Sequence, residues 1–135
     1  MEEIEDFNEE NDQEEYIFVE VEEDGCKPGE QVKGNVHWKF SHHAERIEVR
    51  LLMTVSDKDE TYRNYAAGLS WNNLPQEGIC NFSLTPPEGP YSFLGKGLQI
   101  HWYVEANCPS LELTDETEFA YSPMGAALTF NADKV

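Results

Sequence analysis

The side chains of this sequence that are best suited to chemistry are four histidines, three cysteines and an excess of carboxylates. His42 and His43 are adjacent, and two imidazoles are the beginning of a transition-metal site. Neighbouring residues of an extended chain point in opposite directions, however, and no Cys or carboxylate completes a ligand set at the usual spacing. The pair is therefore interpreted as part of a solvated loop, and no metal is assigned to it.

Four carboxylates form the second candidate site. Asp57 and Asp59 lie two residues apart, and Asp115 and Glu116 follow much later in the chain. At one end of a β-sandwich the four would offer the oxygen ligands that calcium prefers. The set is short of a full coordination shell, and Asp is also a common turn residue. Turn and rim carboxylates are the favoured interpretation, and a calcium-dependent C2-like module that binds a ligand or a membrane surface is the alternative.

Covalent catalysis has less support. A nucleophile needs a base and a group that orients the base, and neither Ser92 nor Cys108 has such partners at a recognisable spacing. The three cysteines are an odd number and far apart, which favours reduced thiols over a disulfide framework. The sequence therefore predicts a protein that is not an enzyme and that needs no cofactor.

The charge distribution excludes several classes of partner. The formal net charge is −18, and residues 1–24 hold thirteen acids and no Lys or Arg, which leaves fourteen acids against nine bases in the remainder. Such a chain repels phosphate backbones, so we expect a protein partner with a basic surface and no nucleic acid. There is no run of eighteen apolar residues and the first fifteen residues are acidic, so we expect no membrane insertion, no secretory leader and a cytoplasmic location.

Composition divides the chain into three parts. Residues 1–15 form an acidic segment of low hydrophobicity, which predicts a disordered tail that either regulates binding or only solubilises the protein. Residues 16–121 alternate between apolar and polar side chains and predict one folded domain. Residues 122–135 predict a loosely ordered C-terminal tail.

Apolar and polar residues alternate with a period of two through the central part, and no helix-length window repeats at three and four residues. Gly, Pro, Asn and Asp separate the alternating segments. The pattern predicts an all-β, immunoglobulin-like antiparallel β-sandwich of about seven strands, with a small barrel as its rival. The predicted strands cover residues 16–22, 32–40, 47–55, 60–66, 78–84, 98–106 and 113–121, and residues 67–77 are predicted as a loop or a short edge strand.

Three apolar residues lie where the pattern predicts exposure to solvent. Phe18 and Leu52 occupy the polar phase of their strands, and Trp71 lies in the predicted loop. Exposed apolar side chains of this kind mark protein interfaces, so the three are candidate partner-binding residues. Burial by a tail, a neighbouring loop or a second sheet is the alternative of equal weight.

Two motifs resemble the amino-terminal domain of the arrestin-like family. The first, KPGEQVKGNV, runs from Lys27 to Val36, and the second, PPEGPYSFLGKGLQIHWYVEA, runs from Pro86 to Ala106. In that family a Pro-Gly-Glu turn precedes a Val-x-Gly-x-Val strand, and a later Pro-x-Ser-x-x-Gly passage introduces a strand of the form Ile-x-Trp/Tyr-x-Val-x-Ala. The residues taken as the signature of the fold are Pro28, Gly29, Gly34, Pro90, Ser92, Gly95 and Trp102.

The resemblance covers residues 17–121, essentially one domain, whereas members of the family usually contain two such sandwiches. It implies a single-domain, non-enzymatic scaffold or adaptor that binds other proteins, and an exposed strand edge or an apolar face is the expected means. The phosphate sensing of visual-type arrestins is not implied, since it needs adjacent lysines near the first strand, which is flanked by acids here. Self-association that supplies a second sandwich is a further expectation.

Overall fold

The computed structural model describes residues 14–129, which fold into two β-sheets packed against each other. A 3₁₀ turn at Pro109–Leu111 is the only helical element among these residues, and no helix in this range is long and apolar enough to cross a membrane. The strands are β1 (Tyr16–Val21), β2 (Gly25–Cys26), β3 (Val32–Lys39), β4 (Ala44–Ser56), β5 (Thr61–Leu74), β6 (Glu77–Leu84), β7 (Phe93–Leu94), β8 (Gln99–Cys108), β9 (Leu113–Tyr121) and β10 (Leu128–Thr129).

The smaller sheet has the order β1-β3-β6 and is antiparallel throughout. In its central strand β3, buried residues alternate with more exposed ones, and Val32, Val36 and Trp38 face the other sheet. The alternation arises because successive side chains of a strand point to opposite faces. Gly34 continues the inward phase, and a β-carbon there would lie 1.9 Å from the carbonyl oxygen of Glu20. Glycine is therefore required for β1 to approach β3 this closely.

The larger sheet is built on β4 and β8, which pair antiparallel along most of their length. β5 extends the sheet beyond β4, and both β9 and the short strand β7 pair with the other edge of β8. The two-residue strands β2 and β10 add parallel pairs to β9 and β7. The inward faces of β4 and β8 supply the centre of the core, with Ile47, Val49, Leu51, Val104 and Ala106 all fully buried.

Two buried tryptophans fix the ends of the core. The indole N–H of Trp38 donates to the carbonyl oxygen of Pro75 at 3.0 Å, and that of Trp102 donates to the carbonyl oxygen of Pro90 at 2.8 Å. A buried indole needs such an acceptor, since an unpaired buried donor costs about 1–3 kcal/mol. The first bond holds the connection between β5 and β6, and the second holds the passage that leads into β7.

The predicted fold class is confirmed: the chain is nearly all β, and its seven longer strands overlap the seven predicted segments. The main difference is β5, one continuous edge strand where the sequence predicts a strand to residue 66 and then a loop or a short edge strand. The register shifts between Leu51 and Leu52 of β4 and leaves Ala66 of β5 without a partner. After this bulge the inward-facing residues of β5 change from even-numbered to odd-numbered positions. The alternation of apolar and polar residues is therefore interrupted in the sequence, as it would be at the start of a loop.

Strand pairing continues beyond Tyr121, after which the sequence predicts a loosely ordered tail. Ser122 is fully buried, its N–H donates to the carbonyl oxygen of Cys26 at 3.1 Å, and β10 pairs with β7. The described fold therefore extends to Thr129. The predicted acidic tail, residues 1–15, lies outside the described residues except for its last two positions.

Candidate functional site

One side of the sandwich, formed by β5 of the larger sheet and β6 of the smaller sheet, presents two strand edges that pair with no other strand among residues 14–129. We call it the open side. The β5 edge is fourteen residues long, which corresponds to about 48 Å at a typical strand rise. An unpaired edge displays a row of backbone N–H and C=O groups that can pair with another chain.

β5 has few of the features that prevent natural edge strands from pairing. Such edges are usually short, or they are interrupted by proline, lysine or inward-pointing charges. β5 contains no proline and no lysine, and Arg63 is its only charged residue. The bulge at Ala66 protects part of the edge, but the segment from Ala67 to Asn72 returns to a regular register with β4. This segment is the part of the open side best suited to accept another strand.

The inner face of β5 is apolar and only half covered. Ala67, Leu69 and Trp71 pack against the core, yet each is partly exposed, because the smaller sheet ends at β6. Cys80 occupies the inner face of β6 and is also half-buried. Burial raises the pKa of the Cys80 thiol, so the group is neutral at physiological pH and behaves as a small apolar side chain. The open side is thus lined by apolar groups that a further strand would cover.

A buried charge network holds the outer face of β5. Glu105 of β8 is only 5% exposed, and it accepts hydrogen bonds from Arg50 at 2.7 Å and from the Tyr65 hydroxyl at 3.2 Å. The Arg50 guanidinium lies over the Tyr65 ring, 3.8 Å from its centroid, and Arg63 approaches the same carboxylate at 3.7 Å. A carboxylate with so little exposure is stable only when cations and donors surround it. These contacts fasten β5 to β4 and β8 and hold its free edge in position.

Leu52 lies in the same outer face and corrects one expectation from the sequence. It is fully buried, and in the register of the sheet it lies between Tyr65 of β5 and Tyr103 of β8. Large aromatic neighbours on both adjacent strands shield a leucine that the alternation alone predicts to be exposed. The prediction that Leu52 belongs to an exposed partner-binding patch is wrong.

Phe18 and Trp71 have different surroundings. Phe18 is 47% exposed on the outer face of the smaller sheet, where His37 of β3 and then Ile79 of β6 continue the same row across the strands. We call these three residues the apolar row; the Phe18 and His37 ring centroids lie 6.0 Å apart. Trp71 does not lie in a loop but on the inner face of β5, opposite Ile47. The structure therefore does not bring the three predicted residues together.

The opposite side of the sandwich is formed by β1 and β9, and we call it the closed side. The Val19 N–H on the free edge of β1 donates to the Asp115 carboxylate of β9 at 2.9 Å. β2 pairs with the outer edge of β9, and the Ala120 N–H donates to the carbonyl oxygen of Asp24 at 2.8 Å. The Asp115 side chain therefore covers one backbone donor of β1, and β2 pairs with the last two residues of β9, so the edges on this side are covered in part.

Two glycines of the arrestin-like motifs allow turns that a larger residue would disturb. Gly29 has a φ of 89° in the turn after Pro28, a conformation that other residues rarely adopt, and the Glu30 N–H closes this turn onto the carbonyl oxygen of Lys27 at 3.0 Å. Gly95 has no room for a side chain, because a β-carbon would lie 2.5 Å from the ring of Phe93. The first turn leads the chain into β3, and the second leads it into β8.

The other motif residues form one buried junction. Pro90 accepts the hydrogen bond from Trp102, and the hydroxyl of Ser92 accepts the buried Tyr121 N–H at 2.8 Å. The Ser92 backbone bonds to Tyr121 and to Leu128 as well. A hydroxyl that satisfies a buried backbone donor is a structural group. The junction fastens the passage before β8 to the end of β9.

The predicted calcium ligands lie apart. The Asp57 carboxylate accepts the N–H groups of Asp59 and Glu60 at the turn after β4, whereas Asp115 lies on β9. On β8, Gln99 pairs with the last residue of β4, next to the Asp57 turn, and Ala106 pairs with Asp115. At a typical strand rise, Gln99 and Ala106 are about 24 Å apart. Within residues 14–129 no three His, Cys, Asp or Glu side chains form a group that could hold a metal ion.

The histidines are dispersed among separate partners. His37 approaches Glu20 at 3.3 Å, His101 contacts Glu118 at 2.6 Å, and His43 contacts the carbonyl oxygen of Leu74 at 3.1 Å. His42 lies beside the Ser41 hydroxyl at 2.8 Å. Cys108 is buried with the Ser110 hydroxyl 3.8 Å from its sulfur. These residues do not form a shared metal site, and Cys108 has no histidine among its described hydrogen-bond partners.

Of the residues that line the open side, the sequence singles out Trp71 and misses the others. Ala67, Leu69 and Cys80 look unremarkable singly, and Arg50 and Glu105 are separated by 55 positions. One signal was available, namely that residues 61–74 contain a single charge and no proline or lysine in an otherwise highly charged chain. Such a stretch is typical of a strand that is not protected against pairing.

Within residues 14–129 the chain is a β-sandwich in which the outer edge of β5 is unpaired. Among solved structures it is similar to Spo0M, a sporulation control protein from Bacillus subtilis, with a TM-score of 0.55 and 23% identity over 80% of this chain and 49% of that chain. Spo0M has an arrestin-like fold, so the fold of this chain is arrestin-like, in agreement with its motifs. The chain spans about half the length of that neighbour.

A second similarity is weaker. A β-glucosidase from Listeria innocua matches with a TM-score of 0.46 and 12% identity over 84% of this chain and 17% of that chain, which is too low to bear on function. No family model matches the chain, and no curated protein matches it in sequence.

Proposed function

We propose that this chain is a non-enzymatic protein-interaction module that binds an extended segment of a partner by strand addition at β5. The observation that carries the proposal is the outer edge of β5. The strand has fourteen residues with one charge and no proline, and within residues 14–129 no strand pairs with it on the side away from β4. Strand addition draws its affinity from main-chain hydrogen bonds and its specificity from alternate side chains. The edge is held ready for it by the contacts of Arg50, Tyr65 and Glu105.

A regulatory and non-catalytic role is part of the proposal. Two observations support it: the Ser92 hydroxyl is engaged by a buried backbone donor, and Spo0M is described as a control protein. The strongly acidic chain suits a partner with a basic surface, because complementary charge speeds association. The calcium-dependent alternative gains no support, since its carboxylates lie at separate places in the fold.

Site-specific photo-crosslinking tests the proposal. A photoreactive residue at Asn72 on the edge strand, and a matched one at Thr117 on the closed side, are compared in the cytosol of the source cell. We expect a protein to crosslink at Asn72 and not at Thr117. Amide exchange with the purified partner then has to show protection along β5. Protection confined to other strands, or equal crosslinking from both positions, would refute strand addition at β5.

The apolar row is the second candidate surface for the same function. Phe18 and Ile79 are 47% and 55% exposed and flank His37 on one face. Aromatic and aliphatic side chains exposed together are typical of interaction surfaces. The substitutions Phe18→Ser and Ile79→Ser distinguish the two surfaces, because they weaken partner binding only if the partner lies on the apolar row.

A further inference from the structure

We infer that the segment bound at β5 is an extended strand with apolar side chains at alternate positions and a net positive charge. This inference rests on the proposed strand addition at β5 and specifies the chemistry of the partner. It follows from three features: the apolar inner face of the open side, its polar outer face and the net negative charge of the chain.

The inner face selects apolar side chains. A strand paired with β5 continues the pleat of the sheet, so every second side chain points to the same side as Leu69 and Trp71. Those positions are half-buried and lie on the side of the sandwich where Cys80 supplies the facing wall. Apolar side chains of the partner would complete the cover that the smaller sheet does not provide, and burial of their surface is favourable.

The outer face selects polar side chains. On this face β5 presents Gly68 and Ser70, next to a shallow cleft of about 250 Å³ whose other walls include Arg46, Glu48 and Arg50. An apolar side chain placed here would desolvate charged groups without giving them a hydrogen bond. The remaining positions of the partner strand are therefore polar, so its two faces differ.

The charge of the chain selects a cationic segment. The net charge of the whole chain is −18, whereas the charged side chains beside the β5 edge are Arg46, Glu48, Arg50 and Arg63, so the negative field is that of the chain and not of the edge. A field of this sign attracts cations over a distance of about 10 Å in physiological salt, and it repels acidic peptides before they reach the edge. Positive residues at the ends of the partner segment would be attracted by this negative field, and they need no ion pair with β5 itself.

Four synthetic peptides with blocked ends test the inference. The first has the sequence KTVTVTVTVK, and the second, KVVVVTTTTK, has the same composition without alternation. The third is the first peptide with N-methyl groups on its valine amides, and the fourth has them on its threonine amides, so each lacks the donors of one strand edge. Binding to the full chain is measured by fluorescence anisotropy, and the site is mapped by amide chemical shifts.

We expect the alternating peptide to bind along β5 about tenfold more tightly than the non-alternating one, because it turns all four valines to the inner face, where the non-alternating peptide turns two. Methylation of one set of amides should abolish binding, and methylation of the other set should not. Equal affinities of the first two peptides, with methylation still harmful, would overturn the alternating pattern and leave strand addition intact. Shifts that map away from β5 for every peptide would overturn both proposals.

Two variants of the chain sharpen the result. Leu69→Thr removes an apolar contact from the inner face of β5, and Leu98→Thr makes the same change at an exposed leucine just before β8, outside both candidate surfaces. We expect only Leu69→Thr to weaken the alternating peptide, by several-fold. If deletion of residues 1–13 is needed before any peptide binds, the N-terminal segment is the occupant of the edge and the inference fails. A dimer in solution whose β5 amides are protected would assign the edge to a second copy and also overturn it.

Discussion

The closed side and the open side differ in how far their strand edges are covered. On the closed side the Asp115 carboxylate accepts one N–H of the β1 edge, and β2 pairs with Ala120 and Tyr121 at the end of β9. On the open side the edges of β5 and β6 are unpaired within residues 14–129, and the apolar residues behind them are half covered. A sandwich of two unequal sheets has edges, and within residues 14–129 this one leaves the outer edge of its longest strand unpaired.

The difference shows that edge availability is decided by a few contacts and not by strand composition alone. One carboxylate on β9 is enough to occupy a donor of β1, whereas the network of Arg50, Tyr65 and Glu105 supports β5 from the outer face and does not cover its edge. The closed side therefore contributes to stability, and the open side keeps its hydrogen-bonding groups for a partner. Four substitutions test this division of roles.

The largest effect is expected where the closed side depends on glycine. In Gly34→Ala the new methyl group would lie 1.9 Å from the carbonyl oxygen of Glu20 and 2.8 Å from the ring of Phe82, so β1 has to move away from β3. We expect the free energy of unfolding, measured by urea denaturation, to fall by about 3 kcal/mol. Gly97→Ala is the matched control, since nothing lies within 4 Å of its added β-carbon. Equal losses for the two variants would contradict the tight packing of β1 on β3.

A smaller loss is expected from the support of the open side. Glu105→Gln keeps the shape of the side chain but removes the charge that binds Arg50 and Arg63. We expect a loss of about 2 kcal/mol in urea denaturation, together with faster amide exchange in β5 than in β9.

The control for this variant is Glu118→Gln, an exposed carboxylate on β9 that contacts His101. Exposed pairs of this kind contribute about 0–1 kcal/mol, so the control should remain close to the unaltered protein. If both variants lose the same stability, or if exchange in β5 is unchanged by Glu105→Gln, the network does not hold the edge strand.

The cover of the β1 edge should have a moderate effect. Asp115→Ala removes the acceptor of the Val19 N–H and leaves that donor to solvent. We expect a loss of about 1 kcal/mol and faster exchange of the Val19 amide. Thr117→Ala on the same strand serves as the control. Unchanged protection of Val19 in Asp115→Ala would show that other groups close this side.

The sequence predicts the strands well because alternation and turn residues are local signals. It does not predict the continuity of β5, because the bulge that places Ala66 out of register arises from pairing with β4, a feature absent from the sequence of β5 alone. The arrestin-like resemblance rests on glycines and prolines, such as Gly29 and Pro90, whose backbone roles are visible in short motifs. The sequence predicts binding through an exposed strand edge or an apolar face, but it does not predict that β5 provides the edge, since that depends on which strands end each sheet.

Leu52 and Phe18 show the same limit at a single position. Both occupy the polar phase of a strand, and the sequence gives them the same expectation of exposure. Leu52 is fully buried because Tyr65 and Tyr103 flank it on the neighbouring strands, whereas Phe18 lies on an edge strand next to His37 and is 47% exposed. The outcome depends on the size of cross-strand neighbours, and these are known only once the register is known.

The smallest effect is expected at Glu15, the residue before β1, which is bound to Ser41. This effect depends on pH. Hydrogen bonds from the Ser41 hydroxyl and then from the Ser41 N–H lower the pKa of the Glu15 carboxyl. Because the folded pKa lies below the unfolded one, this carboxylate stabilises the fold above its ordinary pKa, and the contribution is lost as the pH falls through the folded value.

Glu15→Gln should therefore lower the thermal midpoint slightly at pH 7, by less than Asp115→Ala, because the group is exposed and screened by solvent. The difference between Glu15→Gln and the unaltered protein should shrink as the pH falls below the ordinary Glu pKa of about 4.3, and it should disappear well below the lowered folded pKa, where the carboxylate is protonated in both states. Glu14→Gln, a change at the adjacent exposed carboxylate, is the control and should not reproduce this pH dependence. A difference that persists at low pH would mean that Glu15 acts through packing, and the closed side would then be held at this end by shape and not by charge.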